Sequence, residues 1–251
     1  MAAMPSQKCL REVSSQQAAQ LEDDVVHAKK HDYTKVLNAV EAHGKEPLYV
    51  DCTSNPEEAD EMIKKMRTKL GDMFDMIISV DVEHTREDEP NQRAAVLQLC
   101  LEEMVLVFHI TAATKMPDWV DRFLKERMYT FVDFDITRDK LMLKNSGLEI
   151  NPENFIDMQK KWRHPYIDKP YDSLADVASM VVHPFYKHMK QKINRNEDHK
   201  LWGIAPLPDH LIQYAAIDAY ATYKVWTAID IVIKGFYRLN YDEKFGTVYD
   251  Y

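Results

Sequence analysis

Two pairs of residues, far apart in the sequence, combine chemistry and spacing in a way that could bind a metal ion. Asp81 and Glu83 end an apolar run that starts at Met76, and Tyr214 and Asp218 lie in a stretch of helical composition. Side chains at i and i+2 of a strand point to one face, as do those at i and i+4 of a helix. Carboxylates gathered on core elements are costly unless a positive charge lies between them, so these residues predict a divalent cation site.

The elements that must position these residues are predicted from apolar runs and turn signals. Strands are predicted over 47–52, 76–83, 94–101, 104–110 and 129–135, with a short further segment at 154–158. Helices are predicted from the cap-type residues at 53–55 to about 70, over 117–127 and 138–146, and over most of the chain from 172 onward. This order predicts an α/β domain with a mixed sheet covered by helices. Residues 1–45 are polar and charged, and are predicted to form an N-terminal extension that is frayed or loosely helical.

Composition excludes several other classes of protein. The chain has 251 residues, of which 45% are hydrophobic, which suits one sizeable domain. It has only 6 Gly and no glycine-rich phosphate-binding motif, so neither a dinucleotide site nor a P-loop is expected. The 3 Cys lack C-x-x-C spacing, which argues against a disulfide framework or a structural zinc site. No apolar run could span a bilayer or serve as a secretory core, so we expect an intracellular protein of the cytoplasm or nucleus, without membrane contact.

The charge distribution bears on possible partners. A net charge of −9 is unusual for a protein that binds nucleic acid, because backbone binding generally leaves a basic footprint. A local groove can differ from the average, and basic clusters occur at 160–164 and across 187–200. Each cluster also suits a solvated helix face.

A resemblance to a known family is carried by motifs in a fixed order. These motifs are Val80-Asp81-Val82-Glu83, Ala95-Val96-Leu97-Gln98-Leu99-Cys100, Trp202 followed by Pro206-Leu207, and Tyr214-Ala215-Ala216-Ile217-Asp218-Ala219-Tyr220. Together they resemble the DEDDy class of 3′–5′ exonucleases, to which ribonuclease D and Werner-syndrome-type exonuclease domains belong. The resemblance covers about residues 46–235, and we assign 46–251 to the exonuclease domain.

The family has a further acidic motif, an Asp that opens a helix in the pattern Asp-x-x-x-Leu after a strand. Asp139 with Leu143 fits this pattern, and Asp133 and Asp135 are rivals for the same role. The sister class has a His five residues before its last Asp. In this chain that position is occupied by Gln213. Tyr214 instead lies four residues before Asp218, and in this respect the chain resembles the tyrosine class.

The resemblance implies a ribonuclease H-like fold, with a mixed sheet of five to six strands flanked by helices. It implies hydrolysis of phosphodiester bonds from the 3′ end of DNA or RNA with two divalent cations, Mg²⁺ or Mn²⁺. The metal ligands that the resemblance implies are Asp81, Glu83, Asp139 and Asp218. The hydroxyl of Tyr214 would orient the attacking water.

Weaker hints concern contacts with the substrate. His84 and Arg86 directly follow the acidic motif and could contact a phosphate, although a surface loop is an equally ordinary role. Lys192 belongs to the second basic cluster. Trp202 could stack on a base, as aromatic residues do in single-strand binding, or could simply pack in the core.

Two other functions remain open at this point. One is a domain of the same fold that has lost efficient catalysis and binds nucleic acid or protein, which the acidic net charge and the irregular surroundings of Asp139 favour. The other is a carboxylate-metal hydrolase of small phosphate esters, which a site too narrow for a strand end would favour.

Overall fold

Seven strands form one mixed sheet in the part of the chain that the structure describes, with the order β1-β2-β5-β4-β3-β6-β7. The strands are β1 Thr34–Glu41, β2 Pro47–Thr53, β3 Ile77–Glu83, β4 Val96–Leu101, β5 Met104–His109, β6 Thr130–Asp133 and β7 Phe155–Asp157. The computed structural model describes residues 32–43, 47–71, 73, 76–85, 92–162, 169–192 and 198–245. All of these residues belong to one compact unit.

The sheet mixes both strand directions. Antiparallel pairs are formed by β1 with β2, β4 with β5, and β3 with β4. Parallel pairs are formed by β2 with β5, β3 with β6, and β6 with β7. Strand β3, which ends in the first acidic motif, therefore lies inside the sheet, between β4 and β6.

The predicted class, an α/β domain with a mixed sheet flanked by helices, is confirmed, but the sheet has seven strands rather than five to six. The additional strand is β1, which lies within the residues predicted to form an N-terminal extension. Its sequence gave little sign of a strand because it is an edge strand, and of its side chains only that of Val40 is buried. Residues 1–31 lie outside the described part of the chain, so their role as an extension stays a prediction.

Helices cover the sheet. They are α1 Pro56–Gly71, α2 Asp118–Lys125, α3 Ile136–Asn145, α4 Met158–Lys161, α5 Leu174–Val181, α6 Asp198–Leu201 and α7 Asp209–Phe245, with a 3₁₀ helix at Pro184–Lys192. Helix α1 begins where the side chain of Asn55 accepts hydrogen bonds from the backbone N–H groups of Glu57 and Glu58, at 2.9 and 3.1 Å. No helix in the described ranges has the length and hydropathy of a membrane span.

The long helix α7 carries the second motif and packs against β3, β4 and β5. Ala215, Ala216 and Ala219 are fully buried at this contact, and their small side chains let the helix approach the sheet closely. The hydroxyl of Ser79 in β3 donates to the carbonyl oxygen of Ala219 at 2.7 Å. Because Ala219 directly follows Asp218, this bond holds the strand motif and the helix motif side by side.

Candidate metal centre

The two motifs predicted from the sequence meet in one acidic group, formed by Asp81, Glu83 and Asp218. One carboxylate oxygen from each residue lies within 4.8 Å of the other two. Asp218 is only 4% exposed, and the other two side chains are half-buried. The backbone N–H of Val82 donates to Oδ1 of Asp81 at 2.8 Å.

A second acidic group shares Asp81 and adds Asp133 and Asp139, again with one oxygen from each within 4.8 Å of the others. Asp133 is the last residue of β6, which runs parallel to β3, and Asp139 lies in the first turn of α3. Asp81 thus stands between two neighbouring groups of three carboxylates. This arrangement can hold two adjacent cations, and the ligands are oxygens of the kind that Mg²⁺ and Mn²⁺ prefer.

Asp133, Asp135 and Asp139, the three candidates for the Asp-x-x-x-Leu motif, lie in different places. Asp139 joins the site, as its Asp-x-x-x-Leu pattern predicts, and Asp133 joins it as well. Asp135 is exposed, has left-handed backbone geometry with φ 75°, and belongs to neither group. Asp133 and Asp139 are therefore not alternatives, because the strand end and the helix start both point into the site.

Asp133 is buried beside two other carboxylates. It is 2% exposed, and burial, followed by the negative charges of Asp139 and Asp81, raises its pKa well above the usual range for a carboxyl. Its Oδ1 accepts the backbone N–H of Phe134 at 2.5 Å, whereas Oδ2 has no hydrogen-bond donor among the described residues. A buried carboxylate oxygen without a donor fits a site that receives a cation.

Tyr214 lies one helical turn before Asp218 on α7, and its side chain is buried. Burial raises the pKa of its hydroxyl far above the ordinary value, and the carboxylates of Asp218, Glu83 and Asp81 raise it further. The hydroxyl therefore keeps its proton and acts as a hydrogen-bond donor at the edge of the first acidic group.

Comparison with known proteins identifies the family. The family model described as 3′–5′ exonuclease matches residues 49–234, which include both acidic groups. The chain belongs to the 3′–5′ exonuclease family. No curated protein sequence matches it.

Solved structures share the fold of this exonuclease domain. Trypanosoma brucei RNase D in complex with GMP has a TM-score of 0.56 at 20% identity, over 71% of this chain and 56% of that chain. The Aedes aegypti Nibbler EXO domain has a TM-score of 0.51 at 16% identity, over 69% and 86%. Brucella melitensis NrnC with bound Mg²⁺ has a TM-score of 0.51 at 18% identity, over 70% and 82%. The predicted ribonuclease H-like fold is confirmed by these similarities.

Gln98 lies beside the candidate metal centre, and no role was predicted for it from the sequence. It lies directly opposite Asp81 in the antiparallel pair of β3 and β4, so both side chains project from the same face of the sheet. Its side chain is fully buried, and neither atom of its amide has a hydrogen-bond partner within the described ranges. A polar residue in the middle of an otherwise apolar strand was the signal that could have identified it.

The four residues suggested for substrate contact have separate outcomes. His84 directly follows β3, is half-buried, and its ring lies 6.0 Å from that of His199. Arg86 falls outside the described residues, and Lys192 ends the 3₁₀ helix, with its side chain also outside them. Trp202 is fully buried, 6.4 Å from the ring of Tyr214, so it serves as packing and offers no open face to a base.

A chain of hydrogen bonds fixes the segment that precedes α7 in the exonuclease domain. Nε2 of His109 lies 3.0 Å from the carbonyl oxygen of Trp202, which can only accept, so this nitrogen carries the proton. Nδ1 then accepts from the hydroxyl of Tyr33 at 2.7 Å, and that hydroxyl accepts from the N–H of Leu207 at 3.1 Å. Burial lowers the pKa of His109 to about 4, so the ring is neutral at physiological pH.

Proposed function

We propose that this exonuclease domain hydrolyses phosphodiester bonds from the 3′ end of DNA or RNA, using two divalent cations, Mg²⁺ or Mn²⁺. The observation that carries the proposal is the pair of three-carboxylate groups that share Asp81. An isolated acidic group is common on protein surfaces. Two such groups with a shared ligand, partly buried and built from the motifs of an exonuclease family, support a two-metal site.

The residues divide between the two ion positions. Asp81 contributes to both, Glu83 and Asp218 complete the first position, and Asp139 contributes to the second. When bound, two such ions would activate a water molecule and stabilise the leaving oxygen, which is the 3′ oxygen of the shortened strand. The carboxylates of the chain would hold these cations, whose positive charge would let the phosphate backbone approach an otherwise acidic surface.

Tyr214 acts by positioning. Its hydroxyl is protonated near neutral pH, because burial raises a pKa that is ordinarily about 10, so it acts as a donor rather than as a base. It can instead donate a hydrogen bond to the attacking water or to a phosphate oxygen, and Trp202 packs near its ring. The packing of its side chain, rather than contact with solvent, therefore sets the position from which the Tyr214 hydroxyl donates.

Nucleic acid is the substrate class that the comparisons support. Trypanosoma brucei RNase D has been described in complex with GMP and with RNA U12, and Brucella melitensis NrnC with bound Mg²⁺. A nucleoside monophosphate is the product that stepwise hydrolysis from a 3′ end releases. RNA is therefore the first substrate to assay, with DNA beside it.

A degradation assay tests the proposal. The protein is incubated with 5′-labelled single- and double-stranded DNA and RNA, with Mg²⁺ or Mn²⁺, and then with excess EDTA. We expect a ladder that shortens from the 3′ end, disappears with EDTA, and is reduced at least about 10³-fold in Asp81→Ala and Asp139→Ala, since each removes a metal ligand. Asp135→Ala, an exposed acid beside the site, is the matched control and should retain activity.

Two results would contradict the proposal. A ladder that persists in EDTA or in both substituted proteins would exclude the assigned metal site. The lack of a ladder on every substrate, with both ions, would support the alternative that this is a nucleic-acid- or protein-binding module with weakened catalysis.

A further inference from the structure

Asp133 stands outside the four acids that the family resemblance implies, yet it lies in the second acidic group. It ends β6 inside the sheet, is 2% exposed, and one of its oxygens is within 4.8 Å of oxygens of Asp81 and Asp139. A carboxylate at the end of an interior strand is a costly choice, because an apolar residue there would avoid desolvation altogether. The position therefore calls for a role that a carboxylate alone can fill.

Local structure accounts for only half of this carboxylate. Oδ1 accepts the N–H of Phe134, whereas Oδ2 finds no donor within the described ranges. The helix that follows does not use it as a cap, because the N-cap of α3 is Asp135 and forms no side-chain cap bond. The remaining oxygen is thus buried in the same group as the oxygens of Asp81 and Asp139. The side chain of Asp139 interacts with Asp133 by a hydrogen bond, but it is itself a carboxyl and can do so only by sharing a proton.

The electrostatic surroundings of Asp133 are negative. The groups that act on it are the carboxylates of Asp139 and Asp81, and no described lysine, arginine or histidine forms an ion pair with it. On the opposite side of Asp81, the buried amide of Gln98 is neutral and cannot compensate charge. Three carboxylates within 4.8 Å of one another are balanced most simply by a divalent cation.

We propose that Asp133 is a direct ligand of the second cation, which gives that position three protein carboxylates and lets it retain its ion when no nucleic acid is bound. This inference rests on the proposed two-metal function and adds a ligand to it. As a consequence, the carboxylates of the chain suffice to bind the second cation, and the substrate is not needed to recruit it.

Metal binding without substrate provides the test. Mn²⁺ binding to the intact, nucleic-acid-free protein is followed by electron paramagnetic resonance and by calorimetry, in the wild type, Asp133→Asn and Asp135→Asn. We expect two bound ions in the wild type and in Asp135→Asn. In Asp133→Asn one of the two ions should bind about 10- to 100-fold more weakly. Loss of a group that only hydrogen-bonds to a metal ligand already lowers metal affinity by that factor.

Folding is checked separately by thermal unfolding in EDTA. Asp133→Asn keeps the shape of the side chain and removes a like charge, so its metal-free unfolding temperature should equal or exceed that of the wild type. The increase in unfolding temperature on adding Mn²⁺ should be smaller in Asp133→Asn than in the wild type. If that metal-free temperature is lower, Asp133→Ser provides a second neutral variant for the same titration.

The outcomes separate this inference from the proposed function. Equal binding of two ions by the wild type and by the neutral variant would overturn the role of Asp133 and leave the two-metal proposal intact. Binding of a single ion by a wild-type protein that degrades RNA or DNA would also overturn it, because the second position would then depend on substrate. A wild type that neither binds Mn²⁺ nor degrades any substrate would refute both.

Discussion

At the scale of single residues, Tyr214 is the clearest case of a group whose chemistry is set by its surroundings. Its hydroxyl is enclosed by packing, and this burial raises its pKa and keeps it protonated. We expect Tyr214→Phe to keep the ring packed near Trp202 and to lose only the hydrogen bond. Steady-state kinetics should then show kcat lower by about 10- to 100-fold, with a nearly unchanged unfolding temperature.

The pH dependence supplies the control for that experiment. A Tyr that acted as a base would give the wild type a rate increase near pH 10 that the Phe variant lacks. Because the pKa of Tyr214 is raised, we expect parallel pH profiles for the two proteins up to that pH. A wild-type rate that rises alone near pH 10 would contradict the positioning role.

At the residue scale, the sequence predicts which side chains lie together when they belong to the same strand or helix. Asp81 with Glu83 and Tyr214 with Asp218 are spaced by the repeat of one strand and of one helix, so their convergence follows from the pattern. Asp133, Asp135 and Asp139 could not be separated in this way. Which of them enter the site depends on where β6 ends and on the left-handed backbone conformation of Asp135, between the strand and the helix. The periodic pattern of the sequence predicts neither feature.

At the scale of elements, β1 matters more than its polar sequence suggests. Besides pairing with β2, it carries Lys35, whose Nζ donates to the carbonyl oxygen of Leu207 and to Asp209, each at 2.8 Å. Just before it, Tyr33 contacts His109 and Leu207. The edge strand and the residue that precedes it therefore hold the segment that leads into helix α7.

A pair of shortened chains tests this role. A chain that starts at Pro47 loses β1 and Tyr33, whereas one that starts at Asp32 keeps every residue that the structure describes. We expect the shorter chain to unfold at least about 5 °C below the longer one, since a loss of 1 kcal/mol lowers Tm by about 2–4 °C in domains of this size. Its exonuclease activity should fall with it, and equal activity and stability would show that the strand is dispensable.

The missed strand also shows where prediction from sequence ends. Interior strands such as β4 are buried along their whole length and stand out as apolar runs, whereas an edge strand with one buried side chain has no such signal. The five strands predicted from their apolar content are all present in the described part of the chain, and the α/β class of the fold follows from them. The edges of the sheet depend on tertiary contacts with distant residues, which a local pattern does not contain.

At the scale of the whole molecule, the stability of the domain is linked to pH through His109. The unfolded His titrates near 6.5, whereas burial lowers the folded pKa to about 4, so the unfolded state binds the proton first as the pH falls. Stability contributed by the neutral ring is complete above pH 6.5 and is lost progressively between pH 6.5 and 4. The loss amounts to about 2 kcal/mol between pH 7 and 5.

Urea unfolding at pH 7 and pH 5, in the wild type and in His109→Gln, measures this contribution. Carboxyl groups titrate in both proteins, so the difference between the two pH dependences isolates the imidazole. The free energy of unfolding of His109→Gln should be lower at pH 7 and should change less between the two pH values. Identical pH dependences would mean that the ring titrates alike in the folded and unfolded states, contrary to its burial and to the hydrogen bond that Nδ1 accepts from Tyr33.

The shared position of Asp81 has a thermodynamic consequence for the whole centre. Because one carboxylate belongs to both acidic groups, the two proposed ion positions would not be filled independently. Whatever the first ion does to the affinity of the second, the second does equally to the affinity of the first. The metal content of the domain should therefore follow one coupled isotherm, and a change in ion concentration acts on the pair as a unit.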